Sequence, residues 1–135
     1  MADMTVTASR DKGIEIDVSE RYVTIYGTLA FGAADTDVYV ADGVTLSFAG
    51  ITPGVGSKPP VEVRVWSESD DLGVPEYIYK TGTTAADGKL LIYGANGGAA
   101  GVASLKEFGA VAMNNAALNI WGDTPRFAAT FRKGR

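Results

Sequence analysis

Carboxylates carry most of the reactive chemistry open to this chain, because its 135 residues include no histidine and no cysteine. Without imidazole there is no Ser-His-Asp arrangement and no proton shuttle poised near neutral pH. Without a thiol there is no cysteine nucleophile, thiolate zinc site or disulfide scaffold. Asp35-Thr36-Asp37 begins like a calcium loop, yet Tyr39 and Ala41 stand where an EF-hand places oxygen ligands. Asp70, Asp71 and Glu76 are the remaining candidates for a cation or for a glycosidase carboxylate pair. No acid among them has an evident means of raising its pKa, and a small β-domain rarely forms a deep cleft. The stretch from Gly82 to Lys89 superficially matches a phosphate loop. It has one residue too many between its glycines and puts Leu90 where Ser or Thr must meet magnesium. Gly54-Val55-Gly56 lies in a proline-rich turn, not between a strand and a helix, which removes a dinucleotide reading. The residues therefore predict no catalytic, cofactor or metal site, and a protein that is not an enzyme.

What must position any other function is a set of short strands. Apolar residues alternate with polar ones at Ile14/Ile16/Val18, Val23/Ile25/Leu29/Phe31, Val44/Leu46/Phe48, Val61/Val63/Val65, Leu118/Ile120 and Phe127/Ala129/Phe131. A period of two buries one face of a strand and wets the other. Strands are expected near 14–18, 22–31, 37–41, 44–49, 61–67, 76–80, 89–93, 117–121 and 126–132. Turn residues such as Asp42-Gly43, Lys58-Pro59-Pro60, Asp87-Gly88 and Trp121-Gly122-Asp123 separate them. Only Ala103 to Phe108 suggests a helical turn, with Ser104 as cap and Glu107 three residues on. The expected fold is all-β, an antiparallel two-sheet β-sandwich of jelly-roll-like order; the sequence does not separate that order from an immunoglobulin-like one. Residues 1–12 read as an N-terminal arm or edge strand, and 13–135 as a single sandwich domain.

Composition bounds the partners. A formal charge of −4 disfavours non-specific adhesion to nucleic acid. No apolar run reaches the length of a membrane span and the start lacks a signal-peptide pattern, so neither a membrane partner nor export is expected. Glu68, Asp70, Asp71 and Glu76 crowd one loop, while Arg126, Arg132, Lys133 and Arg135 make the C-terminus basic. Such asymmetry is either plain solvation or a pair of docking patches. The Gly94–Gly101 segment, rich in glycine and alanine, is either a flexible connection or an arm that orders against a neighbouring subunit. The aromatics Tyr22, Tyr26, Tyr77, Tyr79, Trp66 and Trp121 either cover a half-buried second face or form an exposed platform.

Three stretches are similar to the head decoration, or capsid cement, proteins of tailed bacteriophages. They are Gly43 to Gly50, Tyr77 to Thr84 running into Asp87-Gly88-Lys89-Leu90, and Gly122 to Phe131. The likeness follows turn and strand consensus in order and spacing, and it transfers no individual binding residue. It implies a structural virion protein, made in the bacterial host cytoplasm and held on the outer surface of the capsid. There it would bind the phage major capsid protein and stabilise contacts between its subunits, with a homo-oligomer (dimer or trimer) as the expected state. Arg132, Lys133 and Arg135 are the expected capsid contacts, with the 1–12 arm adding to them. A tail or head-tail junction protein and a carbohydrate-binding sandwich using Trp66, Trp121 or the tyrosines are the competing expectations.

Overall fold

A computed structural model of the chain describes residues 2–17, 21–49, 58–67, 76–95, 105–115, 118 and 120–132. Eight strands follow in order: β1 (Thr5–Asp17), β2 (Tyr22–Gly32), β3 (Val44–Thr45), β4 (Glu62–Trp66), β5 (Glu76–Lys80), β6 (Lys89–Ala95), β7 (Leu105–Glu107) and β8 (Arg126–Arg132). They form two antiparallel four-stranded sheets. One has the order β1-β2-β8-β4; the other has β3-β6-β5, with β7 also paired to β6. There is no helix among the described residues.

The period of two accounts for how the sheets meet. Val23, Ile25 and Leu29 of β2 and Phe127, Ala129 and Phe131 of β8 point inward, against Val44, Tyr77, Leu90 and Ile92 of the other sheet. Phe48 lies between the layers, with ring centroids 5.5 Å from Tyr79, 5.2 Å from Phe127 and 5.8 Å from Phe131. Tilted and edge-on rings at these distances add to what burial alone supplies. Gly27 interrupts the alternation of β2 for a reason. It stands opposite Phe127, and a Cβ there would collide with that ring and with the Ser9 carbonyl.

Several expectations are corrected. β1 is one long strand with a register irregularity between Arg10 and Glu15, and the boundary at 12/13 falls inside it. Met4, Val6 and Ala8 belong to the core and β1 lies at the edge of its sheet, so of the arm and edge-strand readings this stretch takes the second. The side chains of Ile14 and Ile16, and Val18 altogether, lie outside the described residues. Residues 37–41 form no strand. Val38 bridges Asp3 on one side and Ala112 on the other: its own amide and carbonyl bond Ala2 and Met4, while those of Tyr39 and Asp37 bond Val111 and Met113, and no ladder builds. Leu118 and Ile120 are buried but belong to a turn region, where the Ile120 and Trp121 amides donate to the Met113 carbonyl. The helical turn expected at 103–108 is strand β7 over 105–107, paired with Tyr93, Gly94 and Ala95. Val61 is 55% exposed and precedes β4, where it was expected to share the buried face of Val63 and Val65.

Candidate interaction surface

β4 and β5 are the outermost strands of their sheets on the same side of the molecule, and a groove of about 470 Å³ runs between them. It is lined by Val63, Arg64, Val65, Trp66, Glu76, Tyr77, Ile78 and Tyr79. On β5 the tyrosines turn inward and Glu76, Ile78 and Lys80 face out. Ile78 is 41% exposed, Trp66 37% and Trp121 40%. Large apolar side chains on the outside of an otherwise closed core mark a contact surface more often than isolated exposed methyls do.

Asp123 fixes this corner. Its carboxylate accepts hydrogen bonds from the Tyr77 hydroxyl at 2.7 Å and from Ser67 Oγ at 2.9 Å. Ser67 follows β4 and Tyr77 lies on β5, so one buried acid ties the edge of one sheet to the edge of the other. Burial, and then the hydrogen bond to Asp123, push the Tyr77 phenol well above its ordinary range. Tyr39 has a parallel role: its hydroxyl donates to Glu107 Oε2 at 2.6 Å and accepts from the Ile92 amide at 3.1 Å. Glu107 also accepts from the Asp42 amide at 2.7 Å, holding a turn in which Asp42 and Gly43 both have positive φ. Burial raises Tyr39 as well, reinforced by its bond to Glu107. Tyr79 is pushed up to about 12, mainly by burial, and its buried hydroxyl has no hydrogen-bond partner among the described residues.

The residues singled out for chemistry do structural work where they are described. Asp37 accepts from the Ala33 and Ala34 amides, which lower its pKa, and Asp35 accepts from Asn114. Asp87 closes the 82–89 loop by accepting from Thr83 Oγ1 and from the Thr84 amide and hydroxyl, and these bonds hold it down to about 2. Glu76 is exposed at the start of β5; Asp70 and Asp71 lie outside the described residues. Among the described residues no three acids converge as a metal site would require. Arg126 pairs with Asp11 at 2.6 Å.

Of the expected capsid contacts, Arg132 ends β8. It donates weakly to the Tyr22 hydroxyl at 3.4 Å and sits 5.9 Å over that ring. Lys133 and Arg135 lie outside the described residues, as do residues 96–101 of the glycine-alanine segment. The Asp123 junction was not foreseen. Its members are 46 and 56 residues apart in the chain, and the only hint was an acid in the Trp121-Gly122-Asp123 turn. Comparison with known proteins returns no match, whether with protein-family models, curated proteins or solved structures.

Proposed function

We propose that this chain is a structural virion protein, a capsid decoration protein that binds the outside of a phage head and bridges major capsid protein subunits. The observation that carries the reading is the corner built by β4, β5 and Asp123. It presents Trp66 on a rigid support whose buried acid is spent on holding two sheet edges together. A clip needs such a support: packaged DNA pushes capsomers apart at their seams, and a contact of roughly 1,600 Å² across a seam resists that parting. Two further features agree. The three stretches that resemble decoration proteins fall on and beside β3, on the β5-β6 hairpin and on β8, the parts that form the core. The last strand, β8, lies between β2 and β4, a placement that supports a jelly-roll-like order.

Binding of the purified protein to shells of the major capsid protein of the same phage tests the reading. Trp66→Ala should reduce occupancy at least tenfold while leaving the fold intact. The electrostatic share belongs to Arg132, Lys133 and Arg135. Neutralising all three should weaken occupancy at low salt and change little at high salt. Undiminished binding of this variant at every ionic strength excludes that share.

A second reading rests on the two exposed tryptophans, Trp66 and Trp121, which could stack on sugar rings. Glycan-array binding that is lost in Trp66→Ala and Trp121→Ala would favour it over the capsid.

A further inference from the structure

The outward face of the β3-β6-β5 sheet has an apolar centre between ends of opposite charge. Across the ladder, Glu76 stands opposite Tyr93, Ile78 opposite Leu91 and Lys80 opposite Lys89. Ile78 and the half-buried Leu91 make the centre. At one end, Lys80 and Lys89 are like charges placed directly opposite each other, an arrangement that weakens a sheet standing alone. Asp87 shares a shallow groove with both lysines, but its carboxylate is turned onto Thr83 and Thr84. Neither lysine, nor Glu76 at the other end, has an ion-pair partner among the described residues.

We propose that this face is the seam of a two-fold homodimer, with β5 of one copy lying antiparallel across β5 of the other and the axis passing through Ile78. A two-fold axis reverses strand direction, so Glu76-Tyr77-Ile78-Tyr79-Lys80 meets itself with its charges exchanged. Each Glu76 comes beside the partner's Lys80, which offsets the repulsion of Lys80 by Lys89, and the two Ile78 side chains bury each other. A second copy is the occupant because the surface that complements this pattern is the pattern itself: acid to base, apolar to apolar, base to acid. The arrangement also matches the usual anatomy of an interface, with an apolar centre and a charged rim. Such a dimer stands or falls separately from the capsid reading, since it needs no protein but this one.

Charge exchange tests it. Sedimentation equilibrium of the full chain, over a wide concentration range at low salt, should show a monomer–dimer equilibrium. Glu76→Lys alone and Lys80→Glu alone should each weaken the dimer about tenfold, because each turns two attractive pairs into repulsive ones. The double variant E76K/K80E should recover most of the affinity. An equimolar mixture of the two single variants should form a heterodimer in which every pair is again opposite in sign. Both positions of exchange are exposed, and circular dichroism of each variant should match the parent. A parent chain that stays monomeric at every concentration overturns the proposal. So does a dimer whose strength ignores the single exchanges, or a pair of single variants that fail to rescue each other.

Discussion

At the scale of residues, Asp123 and the three buried tyrosines define where this fold is vulnerable. Asp123→Ala leaves the Tyr77 hydroxyl buried without its acceptor and should cost about 1–3 kcal/mol. Asp123→Asn keeps an acceptor oxygen and should cost less; urea denaturation of both variants checks the order. The tyrosines set the alkaline limit. Tyr39, Tyr77 and Tyr79 are all raised above their ordinary value near 10, so each holds its proton more tightly folded than unfolded. Their contribution is fully present below about pH 10 and is lost as pH rises through the folded values, which for Tyr79 is about 12. Stability should therefore fall steeply above pH 10, and tyrosinate absorbance should rise together with loss of the β-sheet signal. On the acid side, Asp37 and Asp87 are lowered below 3.8, Asp87 to about 2. Their contribution is present above about pH 4 and declines as pH falls toward 2.

At the scale of elements, close approach decides more than propensity. Gly27→Ala drives a methyl into the Phe127 ring and the Ser9 carbonyl, and Gly88→Ala drives one into the Tyr79 ring and hydroxyl. Each should destabilise by roughly 1–3 kcal/mol, as overpacking does, measurable as a lower urea midpoint with an unchanged slope. The strands that share a long ladder were legible in sequence: 76–80 and 126–132 match β5 and β8, and 22–31 misses only Gly32 of β2. Their alternation is sustained because one face is buried along the whole length. The misses fall where backbone partners change from residue to residue. Leu46 and Phe48 were read as strand, but their amides donate to the Gly88 and Ala85 carbonyls of a loop, leaving β3 only two residues long. Ser104 and Glu107 have helix-capping spacing, yet Glu107 is committed to Tyr39 and Asp42, a tertiary demand that no local pattern records. The corner at Asp123 was hidden for the same reason; Trp66 was visible only as one of the aromatics of a second face or platform, and Ile78 was not singled out.

At the scale of the molecule, Phe48 joins the two layers, and the proposed function rests on the outside. Phe48→Ala empties the space shared by Tyr79, Phe127 and Phe131 and should cost about 3–5 kcal/mol. Against a total near 5–15 kcal/mol, that leaves a marginal fold, which thermal unfolding would register as a large drop in Tm. The same rigidity suits a protein that resists force at a seam. Electron cryo-microscopy of phage heads assembled with and without this chain addresses the central claim most directly. The account predicts added density on the outer surface that bridges neighbouring capsid subunits, with the β4-β5 corner at the contact. Heads that bind none of the protein, or density confined to the tail or its junction, would contradict it.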